Sequence, residues 1–226
     1  MTELGRSTWP DVPASGSTLL VPLGATEQHG PHLPIDTDTR IATAWCQAAA
    51  SGRDGVLVAP ALPYGSSGEH AAFPGTLSIG TEVLTSVLVE LVRSAVPPHG
   101  RVVLVNGHGG NHLAVTAAIE VARAEGRAVE AVWPRLPGDA HAGRTETSLM
   151  LAIDADVVRL DLAVAGTTTP IRELMDDLIR DGVRPHSPSG VLGDPAGASA
   201  EEGRRLLAVL VEQLAAVLDS PPNPSL

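Results

Sequence analysis

The stretch that decides the fold is Thr18-Leu19-Leu20-Val21-Pro22-Leu23-Gly24-Ala25-Thr26-Glu27-Gln28-His29-Gly30. Its first half is a short, uncharged apolar run, the signature of a strand covered on both faces. Its second half turns abruptly polar. The apolar half recurs at Val56 to Ala61, Val102 to Val105 and Ala128 to Trp133. Segments with helical spacing lie between these runs: Thr39 to Ala50, Thr81 to Ala95 and His112 to Ala124. In the second of them Val83, Val87, Leu88, Leu91 and Ala95 are expected on the buried face. Asn111 is expected to cap the third, and Gly126 to end it.

Strands alternating with helices predict an α/β fold, a mostly parallel sheet flanked by helices on both faces. Beyond Trp133, helices are expected over Glu146 to Ile153, Ile171 to Arg180 and Ala198 to Leu218. Gly166 to Pro170 and Pro185 to Pro195 read as surface loops. No repeat or linker interrupts the pattern, so residues 1–219 are expected to form a single domain, with 220–226 as a C-terminal tail.

The composition excludes several functions. The 226 residues carry 15 basic and 26 acidic side chains, a net charge of −11, and every basic residue is arginine. Without lysine there is no Schiff-base chemistry and no P-loop. The acidic balance predicts no nucleic-acid or anionic-membrane partner. One cysteine, Cys46, makes neither an intrachain disulfide nor a cysteine-rich zinc site. Met1 to Ser17 shows no basic region followed by an apolar run, and no apolar stretch is long enough to span a bilayer. A cytoplasmic protein is expected.

In an open parallel sheet, ligands bind beyond the carboxyl ends of the strands. The first strand leads into Glu27, His29, His32, Asp36 and Asp38, the third into Asn106-Gly107-His108-Gly109-Gly110-Asn111-His112, and the fourth into His141 and Glu146. These loops hold five of the eight histidines, beside carboxylates and without thiols. That mixture suits zinc, manganese or iron(II). Glu27 and His29, two apart on an extended segment, can face one side. Asp38, past the bend at Pro31 and Pro34, can return there and bridge two ions. No helical HExxH motif and no G-x-S-x-G elbow is present.

Plainer readings stand beside these. His32, His99, His112 and His186 are expected to be surface or capping residues, and His70 stands between the two readings. Asp36 can close a turn and Asp38 cap the helix after it. The glycines after the third strand can cradle a phosphate, which would make a non-catalytic phosphate-binding module. Gly65-Ser66-Ser67-Gly68 reads as a flexible loop on the substrate side.

Four segments, Gly24 to Thr39, Gly65 to Thr76, Asn106 to Asn111 and His141 to Ser148, resemble the creatininase family of metal-dependent amidohydrolases. The resemblance implies an α/β enzyme with two divalent ions per subunit (iron(II), zinc or manganese), assembled as a homo-oligomer. It implies that Glu27, Asp38 and His108 hold one ion, and that His29 and Asp38 hold the other. Creatininase itself carries a glutamate two residues after the histidine matching His108, where this chain has Gly110. That departure argues against creatinine as substrate and leaves Glu146 as the candidate to complete the second ion's ligands, or otherwise to act as general base. His141 is the expected proton donor to the leaving nitrogen, with His70 in reserve.

Glu173-Leu174-Met175 and Gly190 to Pro195 resemble, more narrowly, a peptidase branch of the family. That likeness implies a modified precursor peptide as substrate, cleaved near its C-terminus to release a Val-Tyr-derived unit. A small-molecule amidohydrolase, hydrolysing creatinine or deformylating a formylamide, is the alternative. A phosphorylated formylamide would call for an arginine at the site, and Arg144 is the only one inside these motifs.

Overall fold

The computed structural model describes residues 3–13, 15–96 and 99–221. Four strands, β1 (Thr18–Leu23), β2 (Val56–Val58), β3 (Arg101–Asn106) and β4 (Val129–Val132), form one sheet in the order β2-β1-β3-β4. All three pairings are parallel. Among the described residues six α-helices accompany them: α1 (Thr37–Ala50), α2 (Thr81–Ala95), α3 (His112–Ala124), α4 (Arg144–Ile153), α5 (Ile171–Asp181) and α6 (Ala200–Asp219). The expected α/β architecture is the one observed.

Side chains alternate along each strand, so neighbouring residues enter different cores. Leu20, Val58, Val103, Val105 and Val132 pack with Ile41 and Trp45 of α1, Met150 of α4, and Leu210 and Leu214 of α6. Leu19, Val21, Leu23, Val102, Leu104 and Val129 pack with Leu84, Leu88 and Val92 of α2 and with Ala114, Val115 and Ala118 of α3. The chain, poor in aromatics, fills both layers with branched aliphatics. A smaller cluster of Leu174, Leu178, Val183 and Leu192 beside Phe73 holds α5 to the segment before α2.

Several local expectations shift. β2 stops at Val58 because Pro60 has no N–H, although Leu62 N–H still reaches the Pro22 carbonyl at 2.9 Å. The buried stripe of α2 runs through Leu84, Leu88, Val92 and Ala95, while Val83 is exposed, which rotates the expected face by one residue. α1 starts at Thr37, so Asp38 lies within its first turn and is not its cap. Ser199 caps α6, accepting from Glu202 N–H at 3.2 Å. Gly126, at φ +73°, ends α3 as expected. The segment 185–195 is more than a surface loop, because Ser187, Val191 and Leu192 are buried. Residues 222–226 of the expected tail lie outside those described.

Trp45 is fully buried between the sheet and α6, and its indole N–H donates to the Leu210 carbonyl. Trp45→Ala is expected to lower unfolding stability by about 3–5 kcal/mol in a urea titration. A loss below about 1 kcal/mol would show that this layer is not packed as described.

Candidate metal centre

The register sets Leu23 opposite Asn106, so β1 and β3 end side by side, and Gly107 N–H donates to the Leu23 carbonyl at 2.8 Å. The strand order reverses here, with β2 on one flank of β1 and β3 on the other. Such a switch point opens a crevice at the carboxyl edge. Asn111 closes its floor. Its amide donates to the Gly24 carbonyl at 3.1 Å and to Asn106 Oδ1 at 3.0 Å, and its Oδ1 accepts from Ser66 N–H at 2.9 Å. The expected helix cap is instead a tie between three loops, and the side chain makes no capping bond. Held this way, Ser66 and Ser67 are buried, so the expected flexible loop is a fixed wall.

Into this crevice converge Glu27, His29, Asp38, His70, His108 and His141, each no more than 7% exposed, with the partly buried Glu146. His29 Nε2 lies 3.1 Å from Asp38 Oδ1 and 3.8 Å from Glu146 Oε2. His108 Nδ1 lies 3.2 Å from Asp38 Oδ2, and its Nε2 lies 3.2 Å from Glu27 Oε2. His70 Nε2 and His141 Nδ1 approach Glu27 Oε1 at 3.3 and 3.7 Å. Three sets are compact enough to share a cation: Glu27–Asp38–His108, His29–Asp38–Glu146 and Glu27–His29–His141.

Two further observations fit a cation. Both Glu27 oxygens and Asp38 Oδ2 are buried without a hydrogen-bond partner, a costly state for carboxylates unless an ion is bound there. The histidines are also oriented from outside the cluster. His29 donates from Nδ1 to the Glu27 carbonyl at 3.1 Å, which leaves Nε2 as the lone pair facing Asp38. His108 donates from Nε2 to the Ser66 carbonyl at 3.0 Å, which leaves Nδ1 facing Asp38. Second partners of this kind hold metal-binding imidazoles in position.

Without a cation, protons take its place. Burial pushes the Glu27 carboxyl up to about 8 against the pull of His108. Burial likewise carries Glu146 up to about 7 against His29. Burial disfavours the charged forms of His29 and His108, but Asp38 and Glu27 outweigh it and push both to about 10. Asp38 is held well below its ordinary value, since His29 and His108 overcome the cost of its burial. Burial and the charges of His108 and His29 press His70 down to about 3, and burial with His29 lowers His141 well below the usual range.

Other expected residues stand apart from the cluster. Asp36 pairs with Arg40 at 2.7 Å. His32 is buried rather than superficial and reaches Thr147 Oγ1 at 2.9 Å through Nε2. His99 is buried at the amino edge of the sheet against Ser17, at 2.8 Å. His112 is exposed beside Trp133, and His186 lies 3.5 Å from Asp181. Arg144 pairs with Glu202 at 2.7 Å and offers the crevice no cation. A phosphate at the glycine loop would face three carboxylates, which argues against the phosphate-binding module.

Two residues went unassigned from sequence. Glu69 Oε1 comes within 3.8 Å of His108 Nε2, and Gln28 touches both His70 and His141. At Gly110 a Cβ would collide with the Ser66 carbonyl oxygen and crowd Glu69 Oε1. The carboxylate absent from that position is therefore excluded sterically, and Glu69 borders the same space.

Fold and cluster together define the class, an α/β protein with a candidate cation site at the carboxyl edge of its parallel sheet. Residues 5–218 match the creatininase family model, described as creatinine amidohydrolase, and the chain belongs to the creatininase family. It is 51% identical to the mycofactocin precursor peptide peptidase of Mycobacterium ulcerans (strain Agy99), over 93% of this chain and 88% of that one. The protein of the same name from Mycolicibacterium smegmatis (strain ATCC 700084 / mc(2)155) is 50% identical, over 92% and 87%. The creatinine amidohydrolase of Pseudomonas putida is 33% identical, over 97% and 98%. A crystal structure of creatinine amidohydrolase superposes with a TM-score of 0.84 at 30% identity, covering 99% of this chain and 98% of that one. A zinc–zinc form of a creatininase variant gives 0.84 at 30% identity, covering 98% of each chain, and a manganese form gives 0.80 at 30%, covering 99% of each.

Glu27, Glu146, His29 and His108 all bind protons more tightly in the ion-free folded protein than in the unfolded chain. Their contribution to stability is therefore present at low pH and is lost as pH rises towards about 10. A bound cation displaces those protons, so its stabilisation grows with pH. Melting with and without divalent ion is expected to show a larger gain in Tm at about pH 8.5 than at about pH 6.5. An equal or smaller gain would show that ions and protons do not compete for these groups.

Proposed function

We propose that this chain is a divalent-metal-dependent peptidase that hydrolyses an amide bond of the mycofactocin precursor peptide. The carrying observation is the set of buried, unpartnered oxygens on Glu27 and Asp38 at the strand ends, within reach of three histidines. The substrate rests on similarity to the mycobacterial peptidases over nine-tenths of the chain. Cleavage near the C-terminus of the modified peptide, releasing the Val-Tyr-derived unit, is part of this reading.

Glu27, Asp38 and His108 would hold one ion, and His29, Asp38 and Glu146 the second, with Asp38 shared. Two divalent ions, when bound, polarise the scissile carbonyl and acidify a water molecule. Iron(II), zinc and manganese all suit two imidazoles and three carboxylates. In this arrangement Glu146 is a ligand rather than the general base, steadied by Ala142 N–H, which donates to its Oε2 at 2.6 Å. Ala142 takes a left-handed backbone, φ +52°, to make that bond.

Amide hydrolysis adds the water oxygen to the acyl carbon and breaks the C–N bond, and the departing nitrogen must gain a proton. His141 offers Nδ1 for that transfer, because its Nε2 is engaged with the Gln28 carbonyl at 2.8 Å. His70 stands beside it, ring centroids 4.5 Å apart, with Nε2 turned to the same carboxylate. The burial of both rings keeps bulk water from these nitrogens.

Asp38→Ala is expected to remove both ions and to lower turnover at least about a hundredfold, because one carboxylate serves both sets. Metal analysis, with mass spectrometry of the incubated modified precursor peptide, reads the two effects together. A variant that keeps its ions and cleaves at the wild-type rate overturns the assignment. Chelation should abolish cleavage, and zinc or manganese should restore it; full activity after exhaustive chelation sinks the metal-dependent reading.

A further inference from the structure

Gln28 lies between two proposed ligands in sequence, yet its side chain points away from the cations' place and towards the two remaining histidines. Its amide orientation is fixed independently of them. Gly30 N–H donates to Oε1 at 2.8 Å, and Nε2 donates to the Gly190 carbonyl at 3.0 Å. Exchanging the two amide atoms would set an oxygen against the Gly190 oxygen and leave Gly30 N–H without its acceptor. Gly190, at φ +83°, has no Cβ for a reason: one there would collide with Gln28 Oε1.

One amide hydrogen of Gln28 remains. His70 Nδ1 lies 2.9 Å from Nε2 and is placed to accept it. His141 Nε2 is as near, at 3.0 Å, but it also faces the Gln28 backbone carbonyl at 2.8 Å. Two bare lone pairs at that separation would repel, so His141 carries its proton on Nε2 and donates it to the carbonyl. The remaining hydrogen therefore goes to His70 Nδ1, and the His70 proton sits on Nε2.

We propose that Gln28 is a positioning residue that sets His70 and His141 end for end, so that His70 turns an N–H, and His141 a bare nitrogen, towards Glu27. The two rings have the same tautomer but turn opposite kinds of nitrogen to Glu27 Oε1: His70 its N–H, at 3.3 Å, and His141 its bare Nδ1, at 3.7 Å, which can receive and pass a proton. The roles in turnover rest on the amide-hydrolase reading above; the tautomers do not.

The test uses ion-free protein labelled with nitrogen-15 at histidine, read by long-range proton–nitrogen spectra at neutral pH. Wild-type protein is expected to show both rings protonated on Nε2. Gln28→Glu places an acceptor opposite His70 Nδ1 and is expected to move that proton to Nδ1, while Gln28→Met should leave the two forms of His70 mixed. A wild-type His70 protonated on Nδ1, or a His70 signal unchanged in both variants, overturns the proposal. With ions restored, Gln28→Glu should lower kcat about tenfold or more with KM and ion content retained. A loss confined to KM, or one matched by lost ions, overturns the positioning role. If wild-type protein cleaves no amide at all, the functional reading fails, and the spectra still decide the tautomers.

Discussion

Negative charge buried without a lysine or arginine beside it is the constraint on which the rest of the molecule turns. Glu27 and Asp38 are within 2% of complete burial, yet no lysine exists in the chain and Arg144 faces outward. Isolated carboxylates in such surroundings would be strongly destabilising. The fold accommodates them by ringing the pair with four imidazoles, two of which hold protons tightly when no ion is present. Two dications would supply four positive charges against the three of Glu27, Asp38 and Glu146, leaving a net attraction for an anionic nucleophile or a polarised carbonyl. Arginine there would do neither, since it cannot shed its charge or open a coordination position.

The architecture serves this charge placement. Parallel pairing brings the ends of β1 and β3 together, and the reversal of strand order keeps the crevice between them open. Asn111 and the Ser66 carbonyl then lock the glycine loop against the 65–70 segment. The cluster of α5 extends that wall from the other side, where Val183 N–H donates to the Glu69 carbonyl at 2.8 Å. Residues whose chemistry is plain are thus oriented by residues whose only task is geometry.

Much of this was legible in the sequence. Uncharged runs of branched residues followed by histidine and acid at each strand end located the sheet and its working edge, because burial on both faces leaves no other place for such groups. Glu27, His29, Asp38, His70, His108, His141 and Glu146, named from sequence, do converge. What the sequence does not mark depends on irregular backbone. Gln28 would face away from Glu27 and His29 in a regular strand, but the chain there makes only isolated bridges, Thr26 to Leu77 and His29 to Leu33, and the twofold alternation fails. His32 and His99 read as surface residues because a lone histidine carries no pattern, whereas each has a buried hydroxyl partner far away in the chain. The α2 stripe lies one residue from the expected face because valine and leucine occupy both faces of the helix.

The bond from Gln28 to Gly190 spans 162 positions of the chain. During synthesis the first strand and its carboxylates emerge long before the glycine that steadies them, and α6, which closes the layer over α1, comes later still. The early segments therefore offer acidic and imidazole groups while the pocket has neither its roof nor its ordered rings. The cluster therefore takes its finished form only as the last quarter of the chain folds back onto the first.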